Sequence, residues 1–252
     1  MPKSVDYLAT QADLGITKHM GGLAASLKLY SMCSIKKGDY VLDVGCGIGL
    51  GPSQIAKKYG CRVVGVDISP RMIEWAKKNA EMEGASSLVE FRVADAQKLP
   101  FEDGTFDAVV CESVLSFIPD KEAALREFMR VVKKGGHICI NEAAWSKEPT
   151  PEVISYFKTF GSTILAEKEW LSLFEGAGIS DIAHEAFKVR VIPELIERIK
   201  LLGIRRMLNA WFLLLSQYIW KPRYFEVALE GAKASGKFME YTGYALFAGK
   251  KK

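Results

Sequence analysis

The stretch Tyr40-Val41-Leu42-Asp43-Val44-Gly45-Cys46-Gly47-Ile48-Gly49 decides the fold. An apolar run, Val41, Leu42 and Val44, gives way to alternating glycines, and a helical pattern begins near Pro52. That is the signature of a buried strand, a tight turn and a helix start. Glycine lets the backbone take positive φ and lets a ligand approach bare peptide. The helix N-terminus leaves N–H groups unpaired at the same place. A dinucleotide fingerprint, G-x-G-x-x-G, would need glycine at 45, 47 and 50, but position 50 is Leu and the third glycine is Gly49. Asp43, two residues before the first glycine, would repel a pyrophosphate and attract an ammonium. The turn suits a zwitterion carrying a nucleoside rather than a diphosphate.

Three further strands repeat the arrangement. Arg62-Val63-Val64-Gly65-Val66 ends in Asp67, 22 residues after Gly45, where a βαβ unit places an acid on ribose hydroxyls. Ser69-Pro70 then starts a helix, Ser as N-cap and Pro at the first helical position, and Gly84 closes it. Val89–Val93 runs into Ala94-Asp95-Ala96, and Phe106–Cys111 runs into Glu112-Ser113. Every one of these strands carries an acid at its C-terminal end, the edge at which parallel sheets bind ligands.

Read outward, the chain divides into an N-terminal helical segment (1–37), an alternating α/β core (38–192), a helical insertion (193–236), and a last strand with a basic tail (237–252). Leu125–Val132 is an amphipathic helix closed by Gly135-Gly136, and His137–Glu142 is the fifth strand. Residues 152–178 read as helical, 180–191 as the sixth strand, and Tyr241–Ala248 as the last. Leu208–Trp220 is apolar nearly all round, so something covers it. Packing within a cap or across a homodimer, an acceptor pocket, and a membrane-surface helix flanked by Lys200, Arg205, Arg206 and Lys221 are the three readings.

Composition sets outer limits. The 252 residues are 49% apolar, enough for a sizeable core, and the net charge of +4 is spread thinly. The Lys250–Lys252 run reads as a solvated end. The first residues are polar and mixed, which predicts no secretory leader. No stretch reaches the roughly 18 apolar residues of a membrane span. Five cysteines, at 33, 46, 61, 111 and 139, form no C-x-x-C and no tight cluster. Cys46, Cys61, Cys111 and Cys139, on or beside core strands, read as reduced, packed thiols in a cytoplasmic protein with no metal site, and a thiol relay for a soft element is the lesser alternative. No basic stripe with interleaved aromatics points to nucleic acid.

Together VLDVGCGIG, VVGVDIS, FRVADAQKLPFEDGTFDAVVCESVLSFI and LREFMRVVKKGGHICINE, roughly residues 38–142, resemble the class I S-adenosylmethionine-dependent methyltransferases. The resemblance is to the small-molecule branch with quinone, sterol and amine enzymes, the type 11 methyltransferases. It implies a Rossmann-like seven-stranded sheet with helices on both faces and an antiparallel last strand. It also implies an N-terminal lid over the cofactor, and S-adenosyl-L-methionine as donor with S-adenosyl-L-homocysteine as product. By resemblance Asp43, Gly45, Cys46, Gly47 and Gly49 hold the methionine part, and Asp67 takes the ribose hydroxyls. Ile68 and Met72 flank the adenine, Asp95 and Ala96 meet its edge, and Glu112 and Ser113 lie near the methionine end and the acceptor.

The donor's sulfonium is already activated, so such a protein mainly supplies alignment and a dry site. A base is needed only where the acceptor must lose a proton. Glu112 and His19 are the candidates: Glu112 at the end of the fourth strand, His19 in the lid segment beside Gly21-Gly22, a pair that could hinge. For Glu112, orienting the lid or the cofactor ammonium is the competing role. His137 and His184 read as structural. Trp145, Glu142, Tyr7 and Phe117 are candidates for the acceptor wall. The fourth strand ends in Glu112-Ser113-Val114-Leu115, not the N/D-P-P-Y/F run of enzymes that methylate amino groups of nucleic acid bases or glutamine. The apolar insertion favours a small hydrophobic or aromatic acceptor. A non-catalytic S-adenosylmethionine binder and, further off, an NAD-dependent oxidoreductase are the alternatives.

Overall fold

The computed structural model describes residues 3–17, 20–189, 191–205, 207, 208, 210, 212 and 238–252. Two helices, α1 (Lys3–Leu14) and α2 (Gly22–Met32), precede an alternating series: β1 (Tyr40–Val44), α3 (Leu50–Tyr59), β2 (Arg62–Asp67), α4 (Pro70–Met82), β3 (Val89–Val93) and β4 (Phe106–Glu112). A 3-10 turn, Leu115–Phe117, leads to α5 (Lys121–Val131) and β5 (Val132–Trp145). Then come α6 (Pro151–Thr159), β6 (Leu165–Ala166), α7 (Glu167–Gly176), β7 (Ile179–Lys188), α8 (Val191–Leu202) and β8 (Thr242–Lys251).

The sheet order is β3-β2-β1-β4-β5-β8-β7, with the short β6 beside β5. All pairings are parallel except those of β8, which runs antiparallel to both β5 and β7. Strand order reverses between β1 and β4, and the crevice at that reversal is where such sheets take ligands. Alternation along the strands builds a core on each face. Leu42, Val44, Val109 and Cys111 meet Leu125 and Phe128 of α5 and Trp170 of α7. Val41, Val63, Val110 and Leu246 meet Leu29 and Tyr30 of α2 and Ile55 of α3.

Local signals hold at the helix ends. The Ser69 hydroxyl accepts from Met72 N–H at 3.3 Å with Pro70 at the first helical position, and Gly84 takes φ +66° just past the cap of α4.

Several boundaries differ from the sequence reading. Strand β5 runs from Val132 to Trp145 rather than 137–142: β8 pairs with it as far as Trp145, and at its start Val132 pairs with Phe106 of β4. Helix α5 accordingly stops at Val131. The segment read as helical over 152–178 is two helices separated by β6, and the sixth strand is shifted to 179–188. The basic tail is exposed at Lys250 and Lys252, as expected of a solvated end, but Lys250 and Lys251 still belong to β8. The Lys251 ammonium donates to the Val132 carbonyl at 2.9 Å, at the end of α5 where carbonyls carry partial negative charge.

The cysteines require a further correction. Cys33, capping α2, is joined to Cys139 of β5 as a disulfide with Cα atoms 5.8 Å apart, while Cys46, Cys61 and Cys111 are free and buried. The two partners are 106 residues apart in sequence, and the face of β5 on which Cys139 lies decides the pairing.

In the insertion, Leu202 and Ala210 are buried, whereas Ile196, Ile204, Leu208 and Phe212 are exposed. Trp211 and Leu213–Trp220 lie outside the described residues. Among the described residues no helix is long and apolar enough to cross a membrane.

Candidate active site

A cavity of about 310 Å³ lies at the C-terminal ends of β1 to β4. Its floor is the β1–α3 turn, where Gly45 (φ +75°) and Gly47 (φ +52°) leave bare backbone. The Gly45 and Cys46 N–H groups both donate to the Val66 carbonyl, at 2.7 and 2.9 Å, which locks the turn against β2. A side chain at Gly45 would collide with Val114, so glycine is what lets the ends of β1 and β4 approach each other. The walls are Asp67, Ile68 and Met72 after β2, Asp95 and Ala96 after β3, and Glu112 and Ser113 after β4.

The acids are held rather than loose. Asp67 accepts from the Gly47 and Ser69 N–H groups at 3.0 and 2.9 Å; burial raises its pKa and those bonds oppose the rise. Glu112 accepts from the Tyr30 hydroxyl at 2.7 Å, the Ser26 hydroxyl at 2.8 Å and the Asn141 amide at 3.3 Å. Asp43 lies beneath the rim, 4% exposed. Burial raises its pKa, and the charges of Glu112 and Asp67 raise it further. Tyr30 is pushed upward by burial and then by Glu112 and Asp43. No cation among the described residues offsets this concentration of negative charge on Asp43. A site of this sign and shape fits a cationic ligand with a nucleoside body: acids for hydroxyl and ammonium groups, and Ile68, Met72 and Ala96 for a flat ring.

A second cavity, of about 120 Å³, adjoins the first; Ser113 and Phe117 line both. Helix α6 contributes Tyr156 and Phe157, and the chain after it contributes Phe160, Ser162 and Ile164. Tyr156 packs edge-on against Phe157 and Phe160 with ring centroids 5.3 and 5.0 Å away. Glu142 and Ala143 of β5 form the inner end. No Lys, Arg or His is among the described lining residues.

The N-terminal segment crosses both cavities. Leu8, Gln11 and Thr17 line the larger one, and Met20 lines the smaller. Trp75 of α4 donates its indole N–H to the Ala12 carbonyl at 3.0 Å, and Arg71 pairs with Asp13 at 3.3 Å. Met20 N–H donates to the Ser113 hydroxyl at 3.2 Å, and its carbonyl accepts from Asn141 at 3.0 Å.

Of the residues named from sequence, Gly45, Gly47, Asp67, Ile68, Met72, Asp95, Ala96, Glu112 and Ser113 come together around the larger cavity. Asp43, Cys46 and Gly49 are not among its lining residues. Cys46 packs with Ile73, Ala76 and Phe91, and a Cβ on Gly49 would lie 2.8 Å from Ala76, so that glycine serves the approach of α3 to α4. His19 lies outside the described residues, as does the side chain of Tyr7. Phe117 and Glu142 line the smaller cavity, but Trp145 stands behind Phe157, centroids 5.5 Å apart. Sequence reasoning missed Ser26 and Tyr30, more than 80 positions from the Glu112 they grip. It also missed the wall formed by Tyr156, Phe157, Phe160 and Ile164, whose aromatic spacing in α6 was the available signal.

Residues 42–140 match the model of the family described as Methyltransferase domain. Phosphoethanolamine N-methyltransferase 3 of Arabidopsis thaliana is 35% identical over 166 residues, 66% of this chain and 34% of that protein. The chain thus spans about a third of the length of the plant relatives it matches. Among solved structures, the 4+2 cyclase SpnF superposes with a TM-score of 0.79 at 20% identity, covering 99% of this chain and 93% of the other. Haemonchus contortus phosphoethanolamine N-methyltransferase 2, in complex with phosphomonomethylethanolamine and S-adenosylhomocysteine, gives 0.77 at 22% identity, covering 98% and 57%. At these identities the structural likeness concerns the fold.

Proposed function

We propose that this chain, which belongs to the class I S-adenosylmethionine-dependent methyltransferases, methylates a small, uncharged, hydrophobic or aromatic acceptor held in the cavity beside α6. One observation carries the reading. An acid-walled, glycine-floored cleft and an aromatic cavity free of described cations meet at Ser113 and Phe117.

S-adenosylmethionine, when bound, supplies a methyl on a positively charged sulfur that departs as a neutral thioether. The chain's own residues do the rest. Asp67 and Asp95 offer acceptors to the sugar and the base edge, while Ile68, Met72 and Ala96 supply the apolar faces. Gly45 and Gly47 admit the amino-acid end, and Asp43 and Glu112 supply the negative potential that favours its ammonium and the sulfonium. Both Glu112 oxygens already accept hydrogen bonds from α2 and Asn141. This supports Glu112 as an electrostatic and positioning group rather than a proton acceptor. The N-terminal segment supplies Leu8, Gln11 and Thr17 to the cleft wall; water displaced by these side chains would strengthen each of these interactions.

The smaller cavity bounds the acceptor. An apolar cavity of about 150 Å³ in another protein holds one benzene ring, so about 120 Å³ buries a single ring or a short branched chain. A phosphate buried there would meet aromatic carbon, three serines and the like-charged Glu142 carboxylate, with no described cation to neutralise it, which is costly. Phosphoethanolamine, the substrate in the relatives' names, is for that reason a poor fit.

The test is turnover of S-adenosylmethionine with a labelled methyl against a panel of neutral aromatic alcohols, amines and enols, with phosphoethanolamine as the charged comparator. Label should appear in a neutral ring compound. Label in phosphoethanolamine alone would refute the acceptor class.

A further inference from the structure

Glu142 is fully buried, on β5, and lies outside the larger cavity's lining. One carboxylate oxygen accepts from the N–H groups of Val114 and Leu115, at 2.7 and 2.6 Å. The other accepts from the Ser116 N–H at 3.3 Å and the Ser116 hydroxyl at 2.6 Å. Four donors fill the roughly four acceptor sites of a carboxylate. The three N–H groups are consecutive and converge because Ser113, at φ +59°, turns the chain sharply out of β4. Converging N–H groups of this kind form an anion-binding concavity when left open. This one would sit where Ser113, Val114 and Phe117 line the larger cleft, at the point where a cation has to be accommodated.

We propose that Glu142 is a positioning residue that occupies this concavity from below, so that the wall between the two cavities is anionic rather than anion-binding. The inference rests on the reading that the larger cavity takes S-adenosylmethionine. A carboxylate suits the task because it has no donor of its own. A glutamine would turn an NH2 group toward Ser116 or toward the two N–H groups, and would remove the negative charge. The turn is fixed from its other side as well, where Thr163 N–H donates to the Ser116 carbonyl at 2.7 Å. Glu142 therefore governs the sign of the wall without reaching into the cleft.

S-adenosylmethionine carries a sulfonium where S-adenosylhomocysteine carries a neutral thioether, and the two are otherwise alike. A change in the wall's charge should separate them, whereas a merely structural defect should weaken both equally. Calorimetric titration of the full chain with each compound, for wild type, Glu142→Gln and Glu142→Asp, makes the comparison. Glu142→Gln should lose about tenfold in affinity for S-adenosylmethionine and about threefold or less for S-adenosylhomocysteine. Glu142→Asp keeps the charge but reaches less far. It should keep the wild-type ratio between the two ligands while the amides of Val114, Leu115 and Ser116 exchange faster with solvent. Equal losses for both ligands in Glu142→Gln, or a ratio that collapses in Glu142→Asp, would overturn the proposal. Should Glu142→Gln not fold, the Glu142→Asp arm still decides. Failure of the wild type to bind either compound would refute the cofactor reading instead. Wild-type exchange at residues 114–116 in Glu142→Asp would separately refute the hold of Glu142 on those three N–H groups.

Discussion

Replacing Gly45 by alanine tests whether the approach of β1 to β4 is what shapes the cleft. Gly45 has φ +75°, and a side chain there costs about 1–2 kcal/mol from backbone conformation alone. The new Cβ would also collide with one Val114 methyl and lie 2.9 Å from the other; such overpacking adds about 1–3 kcal/mol. The sum is a loss of about 2–5 kcal/mol, out of a total stability of about 5–15 kcal/mol. Gly84 is the control: its φ is +66° but nothing lies within 4 Å of its added Cβ. Gly84→Ala should therefore lose only the backbone share, about 1–2 kcal/mol. Urea unfolding reads both. With about 2–3 kcal/mol per molar for a chain of this size, the midpoints should fall by about 1–2 M and about 0.5 M. Calorimetry with S-adenosylhomocysteine should show at least about a tenfold weakening for Gly45→Ala, one factor of ten per 1.4 kcal/mol, and none for Gly84→Ala. Adding Val114→Ala to Gly45→Ala should recover the crowding share but not the backbone share, a coupling that two distant sites would not show. If Gly45→Ala proves no worse than Gly84→Ala in either assay, the close approach is not what shapes the cleft.

Other outcomes follow from the same site. Tyr30→Phe removes a hydrogen bond to a carboxylate and should cost about 1.5–3 kcal/mol of stability; a thermal shift within error of wild type would show that Glu112 is held without it. Binding of S-adenosylmethionine should strengthen as pH rises above the ordinary carboxylate range and should release protons. The reason is that Asp43 has a raised pKa in the free protein and a cationic ligand lowers it. Titration in buffers of different ionisation enthalpy measures that release, and proton uptake would contradict it. The same raised pKa sets the sign for unfolding. Between the unfolded and folded pKa the folded state binds more protons, so the contribution of Asp43 to stability is present at lower pH and is lost as pH rises through the folded value. Ser69→Ala should destabilise by about 1 kcal/mol through loss of the α4 N-cap, read as a small fall in the urea midpoint.

What the sequence revealed of this molecule was local. The β1–α3 turn is legible because glycine at 45 and 47 has few alternative explanations once an apolar strand precedes it, and Asp67, Glu112 and Asp95 are legible because the first two end strands and the third lies two residues past one. The smaller cavity is not legible in that way. Its walls come from Met20 and from the stretches 113–117, 142–143 and 156–164, four parts of the chain joined by such contacts as Thr163 to Ser116, and no spacing rule links them. Glu112 illustrates the limit: position and acidity suggest a base, and only the packing of α2 shows Ser26 and Tyr30 occupying its oxygens. The disulfide between Cys33 and Cys139 and the capture of Lys251 by the end of α5 likewise depend on which face of β5 is presented and on how far β8 runs. Strand length was misjudged where pairing partners on both sides prolong β5 beyond its own apolar run.

The central claim is that a cationic methyl donor occupies the crevice between β1 and β4 with its reacting end toward the aromatic cavity. Crystals of the full chain grown with S-adenosylhomocysteine test this most directly. The expected density runs along Gly45, Asp67 and Asp95 with the sulfur beside Ser113 and Phe117. Density at any other place, or side chains filling the crevice in the presence of saturating ligand, would contradict it.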